Sequence, residues 1–262
     1  MVATVTMVAM VAPWPLITVS GAVIGLLMGV FGVGGSSVAT PVLSLLGVPA
    51  LVAVASPLPA TIPAALLAAI PYVRAGEARP RAAGWSLLGA VPATIVGALL
   101  SGAVGGHALL VASGAVLVVV GARVLLPIED AARDAGTQRR QNRPLLVAAA
   151  AAVGLFTGLL ANGGGFLLMP LYLLLFGLRM RQAVGTSLLV IAVLSIPTLG
   201  THWALGHVDW VVSAEFAAGL LPASYVGAHL SSRFATGAQR KAFGCFLVAF
   251  GTLFTLYRLL LQ

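Results

Sequence analysis

The stretch GLLMGVFGVGGSSVATP, from Gly25 to Pro41, returns 129 residues later as GLFTGLLANGGGFLLMP, from Gly154 to Pro170. Several glycines and the closing proline coincide, and with one inserted residue the match continues for about a hundred residues in all. Self-similarity at a fixed period is the sequence signature of a repeated structural unit. Chance matching of two Gly- and Ala-rich segments is the alternative, but a register held with one gap argues against it. The sequence therefore predicts two repeats.

The composition around these repeats is that of a membrane protein. Of the 262 residues, 60% are hydrophobic and 8% are charged, whereas a soluble domain has about 25% charged residues. The mean hydropathy is +1.08, and several apolar stretches reach the roughly 20 residues that a helix needs to cross the hydrocarbon core. We expect an all-α polytopic membrane protein. The net charge of +8 lies largely in short loops, which indicates membrane topology rather than nucleic-acid binding.

Ten apolar segments can be drawn, five in each repeat, with one long polar linker between the halves. The segments are 16–33, 36–48, 50–71, 84–101, 107–126, 144–161, 164–177, 183–203, 210–230 and 240–260. We predict a first membrane repeat over 1–126, a cytoplasmic linker over 127–143 and a second membrane repeat over 144–262. The single cysteine, Cys245, cannot form an internal disulfide. We expect no cleavable signal, because the first 16 residues have no basic region.

The basic residues indicate how the repeats lie in the membrane. The loop after the third segment contains Arg74, Arg79 and Arg81, whereas its counterpart, 202–209, contains no Arg or Lys. The other equivalent loops also differ in this way. Because basic loops favour the cytoplasm, equivalent loops lie on opposite sides and both termini lie outside. Such an inverted-topology repeat is common in secondary transporters and places the binding site near the midplane.

Two glycine-rich turns are the candidate substrate-binding elements. In this topology the first two segments of each repeat form a hairpin, and the second is a short or re-entrant helix. A helix that starts after such a turn directs its free N–H groups and positive dipole end at the cavity, which suits an anion. The alternative is that these glycines only allow close helix packing. The candidate residues are Gly34, Gly35, Ser36, Ser37, Asn162, Gly163, Gly164 and Gly165.

Other candidates are polar residues farther along each repeat. Ser56, Thr186 and Ser187 begin the next segment, where their hydroxyls line the site or bond their own helix. Glu215 is the only acid inside a predicted span, and His229 lies near the inner end of its helix. Both are candidates for proton coupling, with a wet or interfacial position as the alternative. We expect no metal and no cofactor, because the sequence has no metal-spaced cluster and no phosphate-loop signature.

The second repeat carries three further motifs in order: Asn162-Gly163-Gly164-Gly165 with Pro170, Ala183-Val184-Gly185-Thr186-Ser187, and Gly206-His207-Val208-Asp209-Trp210. Together with the first repeat, they resemble the sulfite exporter TauE/SafE family of membrane transporters. The first repeat departs from the pattern at three places: Ser36 replaces the third glycine, Ser56-Pro57 replaces Thr-Ser, and Arg79-Pro80 replaces Asp-Trp. The resemblance implies transport of sulfite, or of small organosulfur or carboxylate anions.

The leading hypothesis is a secondary transporter of a small anion in the cell (inner) membrane, working by alternating access, and not an enzyme. Its expected partners are the anionic substrate and the lipid bilayer; a homodimer is compatible with the sequence but not required by it. Two alternatives stay open: an intramembrane hydrolase that uses Ser36, and an accessory subunit that transports nothing. A cation carrier is disfavoured because Glu215 is the only acid within a predicted span.

The predicted topology can be tested by cysteine labelling of intact cells. Single cysteines placed in 202–209 should react with a membrane-impermeant thiol reagent added outside, because this loop is predicted to be external. Single cysteines placed in 133–140 should react only after the membrane is opened. Strong external labelling of the linker would contradict the inverted repeat.

Overall fold

The computed structural model describes residues 14–100, 118–126, 143–159 and 165–260. These ranges are helical and contain no strand, so the all-α prediction is confirmed for them. The helices are α1 Trp14–Phe31, α2 Gly35–Leu45, α3 Ala50–Ala55, α4 Leu58–Arg74, α5 Pro80–Leu100, α6 118–125, α7 Arg143–Leu159, α8 Gly165–Pro170, α9 Met180–Ala204, α10 Trp210–Ser231 and α11 Thr236–Leu260. A π-helical turn, Leu171–Leu175, continues α8. Most of the predicted linker and part of the second glycine turn lie outside the described residues.

The described helices have the apolar exterior of a protein that lies in lipid. Four spans within the described ranges are long and apolar enough to cross a membrane: Trp14–Phe31, Leu51–Arg74, Met180–Ala204 and Trp210–Ser231. Large apolar side chains are exposed on the outer surface, whereas hydroxyl side chains such as those of Thr61 and Ser195 are fully buried. Exposed tryptophans lie at or near helix ends, where the ring suits the boundary between lipid and water.

One proline divides a predicted segment, and another does not. The third predicted segment, 50–71, is broken at Ser56 and Pro57 into α3 and α4, because proline has no N–H to donate and its ring crowds the preceding turn. Pro197 lies inside α9, which continues as one α-helix to Ala204. The fifth predicted segment, 107–126, is described only from residue 118 on, and the other described helices begin and end within a few residues of the predicted segments.

Helices α1 and α10 are in backbone contact through glycine. A Cβ atom added to Gly25 would lie 2.5 Å from the carbonyl oxygen of Leu220, and one added to Gly29 would lie 2.2 Å from that of Ser224. No side chain fits at such distances, so the two helices approach this closely only with glycine. Because the residue numbers rise together along both helices, α1 and α10 run parallel.

Helices α5 and α7 make the same kind of contact as α1 and α10. A Cβ at Gly89 would lie 2.2 Å from the carbonyl oxygen of Val147, and one at Gly219 would lie 2.0 Å from that of Thr18. The shift found in the sequence relates Gly89 to Gly219 and Thr18 to Val147. Gly154 is equally close to α5, since its Cβ would lie 2.4 Å from a carbonyl oxygen. The α5–α7 contact therefore repeats the α1–α10 contact residue by residue, and each pair joins one helix from each half.

Helices α4 and α9 lie between these two pairs. α4 packs against α10, α9 packs against α5, and α4 and α9 pack against each other. These contacts are also repeated between the halves. Because α4 is equivalent to α9 and α5 to α10, the α4–α10 contact corresponds to the α9–α5 contact. The α4–α9 contact therefore lies at the centre of the described bundle.

We predict that Gly29→Ala destabilises the protein. The added methyl group would meet backbone atoms of α10, which cannot move aside as a side chain can, and overpacking of this kind costs about 1–3 kcal/mol. The measurement is thermal unfolding of the purified protein in detergent. Gly200→Ala is the matched control, because no atom lies within 4 Å of its added Cβ. Equal stability of the two variants would contradict a packing role for Gly29.

Candidate functional site

The first glycine turn, which we define as Gly32 to Ser36, lies in the protein interior between α1 and α2. All five residues are buried, and Ser36 has no exposed surface. Gly32 adopts a φ of +66°, a left-handed conformation that is accessible to glycine and costly for most other residues. A Cβ atom there would also lie 2.6 Å from the hydroxyl oxygen of Ser187. Backbone conformation and space thus both require glycine at this position.

Ser187 connects α9 to the first glycine turn. Its buried hydroxyl lies 3.1 Å from the carbonyl oxygen of Gly32 and 2.9 Å from that of Val184, and it donates to these acceptors. The predicted site residue Ser187 and the predicted turn are therefore in contact, although they are about 150 positions apart in the sequence. This contact joins the turn of one half to a helix of the other.

The start of α2 has free space beside it. Gly34 is the N-cap residue and has no side chain, so the first N–H groups of the helix receive no side-chain acceptor from it. A Cβ atom added to Gly35 would lie 3.4 Å from the hydroxyl oxygen of Thr61, 3.5 Å from Leu220 and 3.6 Å from Met28. These are ordinary van der Waals distances. The space beside Gly35 can therefore hold a methyl-sized group next to the positive end of a helix.

Thr61 lies beside Gly35 and was not among the candidates predicted from the sequence. Its hydroxyl is fully buried and donates to the carbonyl oxygen of Pro57 at 2.9 Å, so its oxygen still has lone pairs directed elsewhere. The signal was present in the sequence, because Thr61 is the only serine or threonine in α4.

A hydroxyl stripe on α2 was also missed. Ser36, Thr40 and Ser44 are spaced by four residues, which places them on one face of the helix. Thr40 donates to the carbonyl oxygen of Ser36 at 2.9 Å, and Ser44 donates to that of Thr40 at 2.8 Å. The stripe leads from the buried turn to the partly exposed C-terminal half of α2.

Ser56 and Thr186, which are equivalent in the two repeats, make equivalent bonds between the halves. The hydroxyl oxygen of Ser56 accepts from the N–H of Asp209 at 3.0 Å, which we name the Ser56 tie. The hydroxyl oxygen of Thr186 accepts from the N–H of Arg79 at 3.1 Å, which we name the Thr186 tie. Asp209 and Arg79 are themselves equivalent. Both hydroxyls thus hold a loop of the opposite repeat, next to α10 and α5 respectively, whereas Ser187 contacts the first glycine turn.

The two candidates for proton coupling lie apart from the turn. Glu215 is in the second turn of α10, and its Oε2 is buried without a hydrogen-bond partner among the described residues. His229 is exposed near the end of α10, where its ring lies 4.4 Å from the ring of Tyr225, centroid to centroid. The structure brings neither residue to the first glycine turn.

Several predicted site residues belong to the second glycine turn. Asn162, Gly163 and Gly164 lie outside the described residues, and Gly165 begins α8. Ser37 lies in the first turn of α2, and its side chain is outside the description. Their assignment to the substrate site remains a prediction from the sequence.

A family model described as "Sulfite exporter TauE/SafE" matches residues 17–254. The chain belongs to the TauE/SafE family. The match runs from the first turn of α1 to the last third of α11, so it includes the first glycine turn and both ties. This TauE/SafE protein is therefore a member of a family of multi-pass membrane transporters, in agreement with the resemblance found in the sequence.

Two relatives match the TauE/SafE chain over most of its length. A probable membrane transporter protein of Xylella fastidiosa (strain 9a5c) is 28% identical over 241 residues, which cover 88% of this chain and 90% of the relative. The probable membrane transporter protein YunE of Bacillus subtilis (strain 168) is 26% identical over 249 residues, which cover 86% of this chain and 90% of YunE. No solved structure matches the chain.

We predict that the Ser56 and Thr186 ties stabilise the protein about equally. Ser56→Ala removes the acceptor for the N–H of Asp209, and Thr186→Val removes the acceptor for that of Arg79. Each change removes one part-buried hydrogen bond, whose usual net value is about 0.5–1.5 kcal/mol. Thermal unfolding of the purified variants measures the loss. Ser232→Ala is the control, because Ser232 is exposed and its hydroxyl bonds the carbonyl oxygen of His229 in its own turn. Losses of stability in Ser56→Ala and Thr186→Val no larger than that in Ser232→Ala would contradict the prediction.

Proposed function

We propose that this protein is a secondary transporter that moves a small anion across the membrane by alternating access. The substrate is sulfite, an organosulfonate or a small carboxylate, and it is held between the two glycine turns. The observation that carries the proposal is the buried start of α2, where Gly34 offers no side-chain acceptor and Gly35 leaves a methyl-sized space beside the first turn of the helix. The family description supports sulfite as the first substrate to test, and the printed names of the relatives support transport.

The chemistry around Gly35 favours an anion bound by backbone groups. The atoms nearest to the space are a hydroxyl oxygen, a methyl carbon of leucine and a methionine sulfur. None of these carries a charge, so the attraction for an anion comes from the N–H groups and the dipole of α2. Thr61 and Ser36 add hydroxyls beside the ligand, and Asn162 with Gly163 to Gly165 supplies the second half of the site in this proposal.

The helix directions support the predicted inversion of the repeats. α4 runs parallel to α10, because Thr61 and Leu220 both lie beside Gly35, and Ser224 donates to the carbonyl oxygen of Ala64 at 3.3 Å one turn farther on. α5 follows α4 through a short turn and runs back, and α7 is parallel to α5. Since α1 is parallel to α10, α1 and its equivalent α7 run in opposite directions.

The length of α2 supports a re-entrant helix. Its 11 residues extend about 16 Å at 1.5 Å per residue, which is roughly half of the 30 Å hydrocarbon core. Ser56, which follows α2 and α3, bonds Asp209 at the start of α10. Because α10 is parallel to α1, the chain returns after α2 to the side from which α1 came. In the proposed topology this side is the outside, the linker 127–143 lies in the cytoplasm, and the repeats 1–126 and 144–262 are inserted in opposite senses in the inner membrane.

The way the helices are paired supports alternating access. The glycine contacts make α1–α10 and α5–α7 two stiff units, and the α4–α9 contact between them lies at the centre of the bundle. Rocking of these units about the centre would open one end while the other stays closed. In this proposal the Ser56 tie closes the outer end, and the Thr186 tie closes the cytoplasmic end.

The function is tested by flux into proteoliposomes that contain the purified protein. We expect saturable uptake of 35S-labelled sulfite, and competition by small organosulfonates or carboxylates identifies the preferred class. Protein-free liposomes and liposomes with an unrelated membrane protein are the controls. Absence of flux for every anion in the panel would overturn the transporter and leave the accessory subunit as the better explanation.

The position of the anion is tested with Gly35→Ala. We expect sulfite binding to weaken by about tenfold or more, the equivalent of at least 1.4 kcal/mol, because the methyl group fills the space that the ligand needs. The protein should stay folded, since the methyl group meets only van der Waals contacts. Ser36→Ala should weaken binding less, by about 1 kcal/mol, the usual net value of a neutral hydrogen bond.

Equilibrium binding of labelled sulfite and thermal unfolding should be measured on the same preparations. Gly200→Ala is again the matched control, because its methyl group has open space. A folded Gly35→Ala protein that binds sulfite as tightly as the parent would remove the first glycine turn from the mechanism.

A further inference from the structure

The turns that follow α4 and α9 have the same backbone but different side chains. Gly76 and Gly206, which are equivalent, both have a left-handed conformation, with φ of +69° and +71°. In each turn the residue after the glycine donates its N–H to the carbonyl oxygen five positions earlier, at 2.9 Å in the first turn and 3.1 Å in the second. The side chains at these two bonded positions can therefore be compared directly.

At the α4–α5 turn the side chains form an ion pair. Arg181, at the start of α9, donates from Nε to Oε2 of Glu77 at 2.5 Å. Its guanidinium also lies 5.6 Å from the centre of the Tyr72 ring. Arginine keeps its charge at every physiological pH. This end of the protein is therefore held by an interaction between opposite charges.

At the α9–α10 turn two histidines replace the tyrosine and the glutamate. His202 is equivalent to Tyr72, and His207 is equivalent to Glu77. Their Nδ1 atoms lie 3.3 Å apart, and both side chains are half-buried. The rings of Trp203 and Trp210 pack edge to face next to them in the chain, with centroids 6.2 Å apart. This end is therefore held by an imidazole–imidazole hydrogen bond.

The hydrogen bond between the two imidazole rings depends on how many protons the pair carries. Two neutral rings can share one hydrogen bond, with one Nδ1–H as donor and the other Nδ1 as acceptor. A pair with one extra proton keeps this bond, now as a charge-assisted one. When both rings are protonated, both Nδ1 atoms are donors and both rings are positive. The bond is then lost and the rings repel each other.

Few charged groups lie on the elements that meet near this pair. Asp209 is engaged at the start of α10, where its Oδ1 accepts from the N–H groups of Val211 and Val212. Glu215 is in the next turn of α10. The starts of α1 and α4 and the end of α5 carry no charged residue, and Arg258, near the end of α11, has a side chain outside the description.

We propose that His202 and His207 form a proton-binding site, and that the second proton opens the outer end of the transporter. The connection to the gate is short: Asp209 follows His207 by two residues, and its N–H makes the Ser56 tie. Repulsion between the two rings displaces this loop and breaks the tie. The inference rests on the proposed alternating access, and it adds the proton as a ligand that regulates one end.

The opening can be measured with a buried cysteine below the loop. Ser213 is 4% exposed and donates to the carbonyl oxygen of Asp209 at 2.7 Å. Ser213→Cys, in a protein that also carries Cys245→Ser, should react with a charged thiol reagent only when the loop opens. Nanodiscs make both faces accessible, so the result does not depend on the topology. Because thiol reactivity itself falls with pH, rates are divided by that of a Ser232→Cys/Cys245→Ser protein, whose cysteine lies in the exposed turn between α10 and α11.

We expect this rate ratio to rise several-fold on acidification from about pH 7.5 to about pH 5, the range in which histidine titrates. Tryptophan fluorescence provides a second signal, because an imidazolium quenches the neighbouring rings of Trp203 and Trp210. Since the first proton leaves the hydrogen bond intact, the first fluorescence change should occur at higher pH than the rise in labelling.

Three histidine variants separate the two protonation steps. His207→Gln leaves one titrating ring that can still bond the amide, so it should keep a fluorescence change and lose the rise in labelling. The double variant His202→Gln/His207→Gln should lose both. His107→Gln removes a histidine at the end of the loop 102–107, which has no Arg or Lys and is therefore also predicted to be outside. This variant should behave as the parent does.

A rise in labelling that persists in the double variant would overturn the proposal. Labelling that stays constant in the parent while the fluorescence reports both protonation steps would also overturn it. Both measurements are made without any anion, so they stand apart from the flux assay. A protein that opens on acidification but moves no anion would contradict the proposed transport function and support the proton site. A protein that moves anions but does not open on acidification would support transport and contradict the proton site.

Discussion

The close approach of glycine to a neighbouring carbonyl oxygen is the contact on which this structure depends. In lipid there is little hydrophobic gain from bringing two apolar helices together, so packing has to supply the attraction. Glycines on α1 and α10, and on α5 and α7, let the backbones meet where a single added carbon would clash. These contacts fix the distance between the halves, and the buried turn at Gly32 and the start of α2 take their positions from them.

The scaffold is repeated more faithfully than the chemistry that it carries. Equivalent positions of the two repeats carry the same glycine contacts, left-handed turns and hydroxyl ties. In both ties a side-chain hydroxyl oxygen accepts from a backbone N–H group. The side chains at the two ends differ, with an ion pair at Glu77 and Arg181 and a histidine pair at the equivalent turn. In the proposed mechanism this combination lets the two ends move alike but respond to different conditions on the two sides of the membrane.

The length and position of the apolar segments predicted most of the described helices, because hydropathy can be read directly from the sequence. The family followed from motifs such as Asn162 to Gly165, and the shift between repeats anticipated which helices are equivalent. Thr61 and the stripe at Thr40 were missed, because a hydroxyl in an apolar helix has the same local pattern whether it faces a ligand site or only its own carbonyls. The bonds of Ser56 and Thr186 to the opposite loops depend on the tertiary arrangement, which spacing alone does not determine.

The pairing of α1 with α10 has a consequence for how the protein is made. Thr18 in α1 donates to the carbonyl oxygen of Glu215 in α10, and the two residues are 197 positions apart. At a synthesis rate of about 5–20 residues per second, α1 waits about 10–40 seconds for this partner. During that time its glycine face must be covered by lipid or by the insertion machinery. The first half of the chain therefore enters the membrane before α10, in the last third of the chain, has been made to cover the glycine face of α1.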